Sequence, residues 1–136
     1  MPPPLQAASF PAAAEFRMPA EWERHAATWL AWPHNADDWP GKFEVIPWVY
    51  AEMVRKIAAG EIVRLIVRHN KDKQFARHVL RQAGAHLKNI QFVVHPTDRG
   101  WTRDTGPVFV HWHQPGARGG DKSGTAIVHF NFNGWA

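Results

Sequence analysis

Residues 61–96 read EIVRLIVRHNKDKQFARHVLRQAGAHLKNIQFVVHP. The first eight, EIVRLIVR, are apolar and rich in β-branched residues, the composition of a buried strand. Phe75, Ala76, Val79, Leu80 and Ala83 then fall on one face of a helix. Gly84 follows as a helix cap, and IQFVVHP reads as the next strand. Strand, helix and strand in this order define α/β organisation.

The flanking sequence extends the alternation. Upstream, Ile46, Tyr50, Met53, Val54 and Ile57 recur at helical spacing. Pro47 suits a first helical turn, and Gly60 lies just past the helix end. ATWLAWP, closing at Pro33, reads as a buried strand. HNADDWPGK, residues 34–42, is turn chemistry. Downstream, PVFVHW and TAIVHFNFN read as two strands joined by the glycine-rich HQPGARGGDKSG. In the last strand Val128, Phe130 and Phe132 alternate with His129, Asn131 and Asn133, the pattern of a half-exposed strand. Residues 1–17 are rich in proline and alanine without periodicity and are expected to form a flexible leader.

The totals set limits. At 136 residues, 45% hydrophobic and 21% charged, the chain has the composition of one globular domain. It contains no cysteine, so disulfides and thiolate chemistry are excluded within it. No apolar run approaches the roughly 20 residues needed to span a bilayer, and the first residues lack secretory-signal character. The expected location is the cytoplasm. The net charge of +4 is spread over Arg55, Lys56, Arg64, Arg68, Lys71, Lys73, Arg77 and Arg81. That distribution describes solvated faces rather than a nucleic-acid surface. Eight tryptophans stand out, five of them in the first 48 residues. They suit either a rich core or interface, or a pocket walled by aromatics for a flat or cationic group.

The stretch PTDRGWTRDTGP, residues 96–107, carries more chemistry than a turn needs. It lies between two strands, where α/β proteins place site residues. Asp104 precedes Thr105, Gly106 and Pro107, which turn the chain, so its carboxylate can sit at a strand mouth and meet a guanidinium side by side. Trp101 can lie against the same group. The alternative is that Asp104 pairs with Arg99 or Arg103, and Asp98 with the other arginine, merely bracing the loop.

MPAEWERHAATWLAWPHNADDWPGKF, WVYAEMVRKIA, PTDRGWTRDTGPVFV and FNFNGWA together resemble the N-terminal part of the agmatine deiminase family. The likeness runs over residues 18–136. Bacterial peptidylarginine deiminases share the shorter W-x-R-D-x-G-P core. The resemblance implies a pentein-type α/β-propeller with mixed sheets and flanking helices, here incomplete. It implies hydrolysis of agmatine, on the route to putrescine, to N-carbamoylputrescine and ammonia through a cysteine-bound thiouronium. It implies neither cofactor nor metal, and no nucleic-acid or membrane partner. Homo-oligomers of the full-length protein are compatible with it. The family's guanidinium-binding aspartate falls on Asp104 and its pocket tryptophan on Trp101. Trp32 and Asp38 fall near the site, and Arg103 in a loop-bracing position, the role the residue pattern alone also gives Arg99. The family's Gly-His-x-Asp segment and nucleophilic cysteine have no counterpart here. The expectation is therefore a fragment without turnover of its own. An arginine or peptidylarginine deiminase relative, and a non-catalytic remnant that serves as a binding module, are the competing readings.

Overall fold

The computed structural model describes residues 14–116 and 120–130. It divides into two units, Arg24–Thr105 and a second made of the residues before and after it.

The unit Arg24–Thr105 holds a parallel sheet in the order β2 (Thr28–Ala31), β3 (Val63–Val67), β4 (Ile90–Val94). Parallel neighbours need long crossovers, and two helices supply them: α1 (Ile46–Ile57) and α2 (Asn70–Gln82). Strand β3 alternates cleanly. Val63, Leu65 and Val67 are buried, whereas Arg64 and Ile66 are half-buried on the other face. The buried side joins Val54 of α1 and Val79 and Leu80 of α2 in one core. Each such side chain contributes about 1.5–3 kcal/mol through burial. On the opposite face the register lines up Trp29, Arg64 and Gln91. The Arg64 guanidinium sits 5.3 Å from the Trp29 ring centre, and its Nε donates to Gln91 Oε1 at 3.3 Å.

Both helices fall where their periodicity places them, but the buried stripe is shifted. Ala51, Ala58 and Ala76 are fully buried. Met53 and Phe75, expected on the inner faces, are 43% and 52% exposed. Alanines at the closest approach let the elements pack tightly and displace the longer side chains to the flank. Helix α2 ends as expected at Gly84, whose φ of 73° is costly for any residue with a Cβ. Ala85 N–H donates back to Leu80 O at 3.0 Å, closing the helix end.

The second unit is an antiparallel sheet in the order β1 (Glu15–Arg17), β5 (Val108–Gln114), β6 (Lys122–Val128). Most of the expected leader, residues 1–13, lies outside the described residues. Its last three residues instead form β1, paired with His111–His113. Arg17 then straps the chain: its Nη1 and Nη2 donate to Glu23 Oε1 and Oε2 at 2.5 and 3.0 Å. Strand β6 runs over 122–128 rather than 125–133. The expected alternation at 131–133 lies outside the described residues. Trp112 faces Gly124 across the β5–β6 ladder. A Cβ at 124 would fall 2.9 Å from the indole Nε1, so only glycine leaves room for the ring.

Candidate functional site

The three parallel strands of the unit Arg24–Thr105 deliver their carboxyl ends to one edge, the usual place for ligands in open α/β sheets. There a cleft of about 450 Å³ is lined by His34, Asn35 and Ala36 after β2, Arg68 after β3, and Thr97, Asp98 and Arg99 after β4. Strand order, not sequence proximity, brings these residues together.

The turn after β2 is built locally. Asn35 Oδ1 accepts from Asp37 N–H at 3.0 Å and starts a single 3₁₀ turn at residues 36–38. That turn presents Asp38 and Trp39 to the loop after β4. Arg99 Nη1 donates to Asp38 Oδ1 at 2.6 Å. The Asp38 side chain is only 5% exposed, and that of Arg99 48%. One residue on, the Trp39 ring lies 5.4 Å from that of Trp101 and 6.1 Å from that of Tyr50. Burial raises the Tyr50 hydroxyl pKa, with the Asp38 charge adding to it. An ion pair and an aromatic contact therefore pin residues 99–101 to residues 38–39. Gly100 is buried between them, and a Cβ there would stand 3.7 Å from Ala31 O.

Beyond Trp101 the chain makes one helical turn, α3 (Thr102–Thr105), where a plain loop was expected. Thr105 Oγ1 donates to Trp101 O at 3.0 Å. Arg103 and Asp104 lie on this turn and are exposed. The bracing alternative is corrected on one point: the partner of Arg99 is Asp38, 61 residues earlier, rather than Asp98 or Asp104. Asp104 has no ion-pair partner among the described residues. Trp32 is not on an open wall. It is 2% exposed, in the core, with its ring edge-on to Phe75 at 6.3 Å.

Two residues of the cleft lining, His34 and Thr97, carry unsatisfied polar atoms. The buried side-chain atoms without a hydrogen-bond partner among the described residues are Trp32 Nε1, His34 Nε2, Asp38 Oδ2 and Thr97 Oγ1. Each costs about 1–3 kcal/mol when left unpaired, and such groups gather where a polar occupant is accommodated. His34 Nδ1 lies 3.1 Å from Trp32 O. A carbonyl only accepts, so Nδ1 carries the proton and a neutral His34 has its lone pair on Nε2. No group of three or more His, Asp or Glu residues is placed to hold a metal among the described residues. No helix there is long and apolar enough to cross a membrane.

Sequence reading gave Trp101 and Asp104 to the site, Asp38 to its neighbourhood and Arg99 to bracing the loop, without linking Asp38 to Arg99. It passed over His34, Arg68, Thr97 and Trp39. His34 and Thr97 directly follow expected strands and Arg68 ends one, and that position was the available signal.

The solved structures this chain is similar to include a putative peptidyl-arginine deiminase and agmatine deiminases. One, from C. Jejuni, superposes with a TM-score of 0.69 at 21% identity, over 94% of this chain and 35% of that one. Another, from Enterococcus faecalis, gives 0.58 at 25% identity, over 70% and 24%. They define the class as the α/β fold of these deiminases. The chain belongs to the family of Porphyromonas-type peptidyl-arginine deiminases, whose model matches residues 17–136. Curated relatives named agmatine deiminase come from Pseudomonas aeruginosa (strain LESB58), 35% identical over 127 residues, and Ectopseudomonas mendocina (strain ymp), 33% over 125. The chain spans only 31% and 30% of their lengths, an extent that fits an N-terminal part of the family.

Proposed function

We propose that this chain is the N-terminal part of an agmatine deiminase and supplies one wall of its guanidinium site. Residues 18–136 would form the opening portion of an α/β-propeller that the rest of the polypeptide closes. Asp104 pairs with the substrate guanidinium, and Trp101 lies against its face. Asp38, held by Arg99, sets the loop that carries Trp101, and its second oxygen is buried and unpaired. Trp32 acts from below, as packing under the site. Arg103 braces the α3 turn. Hydrolysis through a thiouronium requires a thiolate nucleophile. With no cysteine in these 136 residues, that group and the acid–base histidine come from elsewhere in the fold. The reaction is cytoplasmic and yields N-carbamoylputrescine and ammonia.

The observation that carries this reading is the double anchor of the Trp101 loop, Arg99 on Asp38 and Trp101 on Trp39. It holds an indole and a nearby carboxylate on a fixed scaffold in a chain of this family. The experiment joins residues 18–136 to the remaining two-thirds of the Pseudomonas aeruginosa relative and measures ammonia release from agmatine. Turnover is expected. Asp104→Asn keeps the shape and removes the charge, and should lower kcat/KM by about 100-fold or more. Near-unchanged kcat/KM in that variant removes Asp104 from the mechanism.

The description of the matching family favours a second reading, in which the substrate is arginine or a peptidyl-arginine. The same chimaera offered agmatine, arginine and an arginine peptide separates the two. Activity on none of them, with the chimaera folded, points to the non-catalytic binding module.

A further inference from the structure

The cleft at the carboxyl ends of β2, β3 and β4 plays no part in the proposed guanidinium wall, since neither Asp104 nor Trp101 lines it. It encloses about 450 Å³, and two arginines supply its positive charge. Arg68 uses its Nε on Asp72 Oδ2, at 3.2 Å. Arg99 uses its Nη1 on Asp38 Oδ1, at 2.6 Å. Each guanidinium is thus held by a carboxylate and keeps further N–H groups without an acceptor among the described residues. Guanidinium groups held this way suit the capture of an oxyanion through paired hydrogen bonds. Two other lining residues add neutral groups. His34 Nδ1 is committed to Trp32 O, which leaves a buried, unpaired lone pair on Nε2 of the neutral ring. Thr97 Oγ1 is buried and unpaired as well, and its hydroxyl can donate. Asp98, the carboxylate of the lining, is exposed. An ion that only accepts hydrogen bonds would leave His34 Nε2 unmatched. An oxyanion that keeps one hydroxyl matches every group. Its oxygens accept from Arg68, Arg99 and Thr97, and its O–H donates to Nε2.

We propose that this cleft binds a small oxyanion that still carries a hydroxyl, the chemistry shared by hydrogen phosphate and bicarbonate. Arg68 and Arg99 meet its charge, Thr97 adds a donor, and His34 Nε2 selects for the hydroxyl. Anion capture here needs none of the chemistry proposed at Asp104.

The test titrates the isotope-labelled 136-residue chain with inorganic phosphate, bicarbonate and sulfate at neutral pH and constant ionic strength. The His34 ring and the Thr97 amide are followed by NMR. Phosphate or bicarbonate should saturate both signals, and the tighter of the two identifies the ion. Sulfate has no hydroxyl at neutral pH and should bind at least about 10-fold more weakly, because Nε2 stays unpaired. Arg68→Gln should weaken binding about 10-fold or more. Its side chain is 40% exposed, so the fold tolerates the change. Arg77→Gln removes the same charge from an exposed position of α2 outside the cleft and should leave affinity within about 2-fold. The isosteric Thr97→Val should weaken binding about 3- to 10-fold. No saturation by phosphate or bicarbonate up to about 50 mM overturns the proposal. So does sulfate that binds as tightly as both, which removes the hydroxyl contact that defines the ligand. Equal losses in Arg68→Gln and Arg77→Gln also overturn it, by reducing the effect to net charge. A chain that binds phosphate, in a chimaera that releases no ammonia from agmatine, keeps the anion site and sinks the proposed function.

Discussion

Arg99→Ala tests the anchor on which the site reading depends. The guanidinium and the Asp38 carboxylate are 2.6 Å apart, with Asp38 5% and Arg99 48% exposed. Opposite charges about 4 Å apart at an effective dielectric near 20 attract by about 4 kcal/mol before any cost is counted. The half-exposed arginine lowers that to about 1–2 kcal/mol net. Its removal also leaves a nearly buried carboxylate with neither oxygen paired, so the loss rises to about 2–3 kcal/mol. For a chain of this size that lowers the melting temperature by roughly 6–10 °C. Urea unfolding of Arg99→Ala, Asp38→Asn and the double variant gives a thermodynamic cycle. Asp38→Asn removes the buried charge along with the pair and should cost about 1 kcal/mol. The double variant should be no worse than Arg99→Ala alone, a coupling of about 1 kcal/mol or more. Additivity within about 0.3 kcal/mol, or a loss under about 0.5 kcal/mol for Arg99→Ala, would refute the reasoning.

Glu23 offers a pH test. Its carboxyl pKa is lowered from 4.5 to about 2, first by the hydrogen bonds from Arg17 and then by the Ala20 N–H. A depressed carboxylate adds stability above its unfolded pKa and loses it as pH falls through the folded one. The strap should therefore hold at pH 5 and release between about 4.5 and 2, and Arg17→Gln should bring the NMR midpoint of Glu23 back toward 4.5. Gly124→Ala places a methyl against the Trp112 indole and should destabilise the β5–β6 sheet by about 1–3 kcal/mol, read by urea unfolding. Leu65→Ala empties a fully buried position and should cost about 2–5 kcal/mol in the same assay.

Much of the α/β pattern was legible because it is local. Helices 46–57 and 70–82 and strands 63–67 and 90–94 carry their own periodicity and caps. What escaped was set by distant contacts. Glu15–Arg17 has no strand signature of its own and becomes one only through β5. Met53 and Phe75 look like core on a helical wheel, yet alanines take the closest approaches. Of the five tryptophans in the first 48 residues only Trp32 is buried, and Trp22 is 89% exposed, so count did not predict core. At the site, Trp101 and Asp104 stood out by composition. The Asp38–Arg99 pair spans 61 residues of sequence, and no local pattern marks it.

The pairing of β1 also has a kinetic consequence. Glu15 meets His113, 98 positions later (113 − 15), and the match is only three residues long. Closing a flexible chain of that span costs about 4 kcal/mol in entropy. Residues 24–105 carry an internal core and shorter closures, so they should collapse first, with β1 zipping on last. In a ribosome-bound or freshly diluted chain, residues 15–17 should be the last to gain exchange protection and the first to lose it.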